Sequence, residues 1–141
     1  PKRFQTWIYA APLAESAEVE IDGSEIHDFS WIGVADAVAQ HENGQLGMLP
    51  PTYITLCSLL RYANTAAMAE GETPQSPHEV FPIFTKDDGH VAVLFEGDAD
   101  YPTDDNVTTD ARHRAVMQDT NWVYLYENVA DQYPPFVSKQ T

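Results

Sequence analysis

The chain is poor in cysteine, in cations and in long apolar runs, and each shortage excludes something. One cysteine, Cys57, rules out an internal disulfide and a zinc site built from several thiolates. It sits in the apolar run Ile54-Thr55-Leu56-Cys57-Ser58-Leu59-Leu60, which reads as a small buried residue. Seven Lys and Arg face 22 Asp and Glu, for a net charge of -15. A polyanionic partner needs a basic face, so a nucleic acid polymer is not expected, and an anionic membrane surface would be repelled. The apolar stretches at residues 7–12 and 91–95 fall far short of the roughly 18 residues of a membrane-spanning helix. There is no secretory leader pattern. These exclusions leave the cytoplasm or an organelle lumen as the expected location. The chain opens on Pro1, which hints that its natural start lies upstream.

The classical motifs are missing too. There is no Gly-x-Ser-x-Gly elbow, no phosphate loop ending in Gly-Lys-Ser/Thr, and no Gly-x-Gly-x-x-Gly. None of the five histidines lies three or four residues from another, so no helical metal pair exists. They read mostly as exposed polar residues. Asp98, Asp100, Asp104 and Asp105 crowd one segment without the ordered spacing of a calcium loop, and read as a solvated acidic loop.

What is present is a globular domain or part of one, with 43% apolar and 11% aromatic residues to build a core. Residues 5–11 read as a strand, with Trp7 and Tyr9 on one side and Thr6, Ile8 and Ala10 on the other. Asp22-Gly23 is a turn signal. A second strand is expected over residues 25–32. A helix follows over 34–41, with Val34, Ala37 and Val38 on one face, and Asn43-Gly44 stops it. Pro50-Pro51-Thr52 opens a second helix running to about Asn64, because proline is tolerated in a first turn whose N–H groups lack partners anyway. Residues 80–85 and 91–95 flank Lys86-Asp87-Asp88-Gly89 as a hairpin; 112–117 with 122–126 read as another around Asp119-Thr120-Asn121, with a helix turn over 112–117 as the alternative. The tail from Asp131 reads as irregular.

Four segments in order carry a resemblance. They are Arg3-Phe4-Gln5-Thr6-Trp7-Ile8-Tyr9-Ala10, then Glu25-Ile26-His27-Asp28-Phe29-Ser30-Trp31-Ile32, then Ala37, His41 and Gly44 in an Ala-x-x-x-His-x-x-Gly arrangement, then Leu49-Pro50-Pro51-Thr52. Together they resemble the part of the Nudix hydrolase superfamily that follows its catalytic helix, in the coenzyme A diphosphatase-like subgroup. The resemblance spans about residues 1–62. The tail, with Leu94-Phe95-Glu96-Gly97-Asp98 and Arg112-His113-Arg114, looks like the C-terminal extensions of some of those proteins.

The resemblance implies an α+β fold: the C-terminal portion of a Nudix-like α/β/α sandwich, with a mixed sheet, two helices and a C-terminal β extension. It implies two portions, 1–70 within the Nudix-like domain and 71–141 as a β-rich extension packed on it. It implies a parent enzyme that hydrolyses a nucleoside diphosphate linked to another moiety, with Mg2+ or Mn2+ assisting the attack of water. The glutamates that hold such a metal belong to the Nudix box, and no stretch of this sequence matches that pattern. The nearest acidic run, Glu15, Glu18 and Glu20, has no arginine and follows the first strand instead of preceding it. No catalytic residue and no metal ligand is therefore carried over, and the chain by itself is expected to be inactive. The substrate-binding candidates are Arg3, which can pair with a phosphate, Glu25 as an accessory acid, and Pro51 and Thr52 at the turn bordering the substrate cleft. Trp7, Trp31 and Tyr53 are expected in the core. The implied partners are a nucleotide-type small molecule and a missing N-terminal segment or partner chain, and a homo-oligomer is compatible. The alternative is a non-enzymatic Nudix-like domain that binds a ligand or a protein.

Overall fold

A computed structural model describes residues 5–14, 18–72, 79–102 and 109–137. In order, the elements are α1 (Val34–Glu42), α2 (Pro50–Leu59), α3 (Thr65–Glu72), β1 (Ile83–Asp87), β2 (His90–Leu94), β3 (Arg112–Gln118) and β4 (Asn121–Glu127). The chain is therefore α+β. It divides into two compact units, one of residues 1–31 and 62–76, the other of residues 32–61 and 77–141.

The larger unit holds a four-stranded sheet in the order β1-β2-β3-β4. Every pairing is antiparallel, which corrects the expectation of a mixed sheet. The connections explain why. Both hairpins close through two residues, and a parallel pair needs a crossover of a dozen or more. In the first hairpin Asp88 and Gly89 both take positive φ, 47° and 86°, the geometry that matches the twist of the flanking strands. β1 begins at Ile83, later than residue 80, because Pro82 has no N–H to give a ladder.

Helices α1 and α2 pack on each other and on β4. Alternation places Val93, Ala115 and Tyr124 in one row across β2, β3 and β4, beside the pair Met117 and Trp122. Val38 of α1 and Tyr53 and Cys57 of α2 close against this face, and the seven buried members of the core are completed by Phe95. Cys57 is buried as expected.

Helix α1 follows its sequence reading, with Ala37, Val38 and His41 turned inward. It stops where the backbone turns left-handed at Gly44 (φ +71°), whose N–H donates to the His41 carbonyl at 2.9 Å. Helix α2 opens on Pro50 and Pro51 as expected but ends at Leu59. The expectation of a run to Asn64 misses a new start. The Asn64 side chain accepts the Ala67 N–H at 2.9 Å and caps α3, so the described residues hold three helices, not two.

Residues 5–14 and 25–32 join no ladder among the described residues, which corrects the two strands expected there. A strand is stable only when its N–H and C=O groups meet a neighbour or water. Trp7 and Tyr9 do share a side, with rings stacked 6.3 Å apart. Trp7 and Trp31 are 56% and 70% exposed, so neither is core, while Tyr53 is. The Asp22-Gly23 turn forms: Asp22 Oδ1 accepts the N–H groups of Ser24, Glu25 and Ile26, and Gly23 has φ +70°.

Two glycines with positive φ give opposite tests of space. A Cβ on Gly89 would meet nothing within 4 Å, whereas one on Gly97 (φ +90°) would lie 2.7 Å from the Tyr133 ring. Gly89→Ala should cost about 1–2 kcal/mol, the backbone penalty alone. Gly97→Ala should cost clearly more. Urea unfolding of both variants checks this, and equal losses would show that the Tyr133 contact is not rigid.

Candidate functional site

Three features of the larger unit bring polar chemistry together. The first is the join between α1 and β4. His41 is 0% exposed. Its Nδ1 lies 2.8 Å from the Leu46 carbonyl, and its Nε2 lies 3.0 Å from the Trp122 backbone nitrogen. A carbonyl can only accept and an N–H can only donate, so the ring carries its proton on Nδ1 and accepts at Nε2. Trp122 also donates its indole N–H to the Met48 carbonyl at 3.1 Å, and the Asn121 amide donates to the Glu42 carbonyl at 2.6 Å. The expectation of exposed histidines is corrected here, and again at His113, which is 2% exposed. Both rings are drawn inward because backbone groups in the core require partners.

The second feature is Arg114 on β3. Its Nε donates to Asp98 Oδ2 at 2.8 Å and one terminal nitrogen to Asp98 Oδ1, a two-pronged pair. The same guanidinium reaches Asp100 at 2.8 Å and Asp87, at the end of β1, at 3.0 Å. Asp98 also accepts the backbone N–H groups of His113 (2.8 Å) and Asp100 (3.0 Å). Burial pushes the Asp98 carboxyl up. Arg114 and the two N–H donors outweigh that and hold it below the ordinary value. Burial likewise works against the Arg114 charge, and the three aspartates overcome it. Asp98 is 0% exposed, so the reading of a solvated acidic loop is wrong for this residue. Asp104 and Asp105 lie outside the described residues. Beside this cluster, His113 Nδ1 donates to the Glu96 carbonyl at 2.6 Å and lines a cavity of about 120 Å³ with Phe81, Tyr133 and Phe136.

The third feature is a cleft of about 510 Å³ between α1, α2, β4 and the segment after it. Each element turns one periodic face toward it. Helix α1 offers Ala35, Ala39 and Glu42, helix α2 offers Tyr53 and Cys57, and β4 offers Tyr124 and Tyr126. Small residues on α1 stand where larger ones would fill the space. Tyr53 donates to Glu42 Oε1 at 3.3 Å. The Tyr124 hydroxyl accepts the Phe136 N–H at 3.2 Å, and Tyr126 donates to the Tyr133 carbonyl at 2.8 Å. Burial raises all three phenols, Tyr53 further through Cys57 and Glu42, so they stay neutral at ordinary pH. Burial also pushes the Cys57 thiol up to about 11; the hydrogen bond with Tyr53 opposes this and the Glu42 charge adds to it.

The residues singled out from sequence fall elsewhere. Pro51 and Thr52 are exposed neighbours on the first turn of α2, where the Pro51 carbonyl accepts the Thr55 hydroxyl at 2.7 Å. Glu25 is exposed in the smaller unit, beside the Asp22 turn. Arg3 lies outside the described residues. Sequence reasoning missed Glu42, Tyr124 and Tyr126. The signal available was the spacing 35, 38, 39, 42 on α1 and the alternation 124, 126 on β4, but neither says that the two faces meet. Among the described residues no group of three His, Cys, Asp or Glu is placed to hold a metal ion.

Two measurements test these electrostatics. Asp98→Asn leaves the Arg114 charge buried with its main partner gone and should cost about 3–5 kcal/mol. Because the folded carboxyl sits below its ordinary value of 3.8, its contribution is complete above that pH and is lost as pH falls through the lower folded value. The variant should therefore show a shallower loss of stability below that point than the parent. Cys57 should resist iodoacetamide at pH 8, where about one thiol in a thousand is ionised, and react fully once urea unfolds the chain. Rapid labelling of the folded protein would contradict its burial.

Among the described residues no helix is long and apolar enough to cross a membrane. Comparison with protein-family models, with curated proteins and with solved structures finds no match for this chain.

Proposed function

We propose that this chain is the scaffold and pocket-wall portion of a Nudix-type hydrolase that acts on a nucleoside diphosphate linked to another moiety. The observation that carries the reading is the ordered set of segments at residues 3–10, 25–32, 37–44 and 49–52. Two further facts support it. The last two segments lie on α1 with its Gly44 stop and at the opening of α2, as the resemblance implies. Of the first two, residues 5–10 and 25–32 carry exposed apolar side chains, among them Trp7, Ile8, Phe29 and Trp31. A surface of that kind is stable when another layer covers it. In this reading the covering layer is the missing part of the sandwich, and it brings the box glutamates with their Mg2+ or Mn2+. Arg3, Glu25, Pro51 and Thr52 remain the substrate-binding candidates of this reading.

A second reading, a Nudix-like domain that binds a ligand without turning it over, is favoured by the cleft of about 510 Å³, a size typical of small-molecule sites.

Activity assays separate the two. The chain as given should not turn over coenzyme A or ADP-ribose with Mg2+ or Mn2+. A longer chain that adds the residues encoded upstream should release two phosphorylated products from at least one such substrate. An upstream region without a Glu-rich helix, and no turnover by the longer chain, would remove the hydrolase reading and leave the second.

A further inference from the structure

We propose that the cleft between α1, α2 and β4 binds a small organic cation with a flat, apolar body. The site is independent of the hydrolase reading and survives its failure. Among the described residues its lining carries a single charged group, the Glu42 carboxylate, and no Lys or Arg. Among the described residues no cationic side chain pairs with Glu42, whose carboxylate accepts only the Tyr53 hydroxyl at 3.3 Å. A carboxylate has about four acceptor positions, so most of its capacity faces the cleft and solvent.

The hydroxyls do not compete for this role. Tyr53 is spent on Glu42, Tyr126 donates to the Tyr133 carbonyl, and Tyr124 receives the Phe136 N–H. What the tyrosines leave for a ligand is ring surface. Tyr124 and Tyr126 lie with centroids 6.4 Å apart and planes 22° from parallel, presenting a continuous aromatic wall. Aromatic faces carry partial negative charge and attract cations. Opposite them Ala35 and Ala39 leave the room that a flat body needs.

Anions are disfavoured on every count. The one charged group among the described lining residues is negative, the phenols are neutral, and the chain as a whole carries -15, which attracts cations from solution. The backbone that carries the carboxylate is well held. The Asn121 amide grips the Glu42 carbonyl at 2.6 Å, and His41, one residue earlier, is bonded to the Trp122 N–H. Glu42 is thus fixed at the end of α1 where it meets β4.

Benzamidine is a suitable probe, because its planar amidinium matches a carboxylate with two parallel bonds. Titration of the full chain, followed by NMR shifts of α1 and β4 amides, should show binding by benzamidine. Neutral benzamide, of the same shape, should bind about tenfold more weakly, and benzoate more weakly still. Glu42→Gln keeps an acceptor for Tyr53 and should bring benzamidine down to the level of benzamide, with the circular dichroism spectrum unchanged. Ala39→Trp, which fills the space, should abolish the shifts for all three compounds. Equal affinity for benzamidine and benzamide, an unaltered affinity in Glu42→Gln, or no binding up to about 10 mM would overturn the proposal. Turnover of coenzyme A or ADP-ribose plays no part in these readouts, so failure here and failure of the hydrolase reading are distinct.

Discussion

The larger unit depends on one imidazole. His41 stands where the helical layer meets the sheet, fully buried, and serves two backbone groups. It donates to Leu46 in the turn after α1 and accepts from Trp122 at the start of β4, 81 residues away in sequence. An unmade bond to a buried backbone group costs about 1–3 kcal/mol, so replacing this ring with an apolar side chain is penalised twice. The ring also fixes geometry. With the Asn121 and Trp122 side chains reaching back to Glu42 and Met48, it sets how α1 lies on β4, and so sets the width of the cleft that opens toward Glu42.

A second constraint acts on the other face of the sheet. The Arg114 guanidinium ties β3 to the end of β1 through Asp87 and to the following loop through Asp98 and Asp100. A buried pair of this kind contributes little net free energy compared with apolar packing, but it tolerates no partial loss. Its effect is to define the path of residues 95–101, where Gly97 turns left-handed against Tyr133. That segment and residues 133–137 then close the aromatic cluster of Phe95, His113, Tyr124 and Phe136. The two devices differ in kind. One supplies hydrogen bonds to backbone, the other neutralises charge, and both hold a small sheet that has few apolar layers.

Elements whose signals are local were legible. The Asp88-Gly89 hairpin, the Pro50-Pro51 helix start and the Asn43-Gly44 stop all follow from the φ angles those residues favour. Asn64 is a local signal as well, masked in the sequence by the apolar run of α2 that precedes it. The strands expected at residues 5–11 and 25–32 failed for another reason. Alternation predicts which side chains share a side, as Trp7 and Tyr9 do, but a strand exists only with a partner, and partners are not encoded locally.

By itself the sequence determined both hairpins, the two helix starts and the burial of Cys57, because each rests on backbone preference or on period, while the α+β class was expected from the resemblance. It also determined a net charge of -15. Only the tertiary structure decided that Asp98 and His113 are buried, that His41 joins two layers, and that Glu42 meets Tyr53, Tyr124 and Tyr126 across one cleft. The reason is range. Burial of a polar residue depends on a partner that stands 16 positions away for Asp98 and 81 for His41, and spacing along the chain holds no record of such meetings.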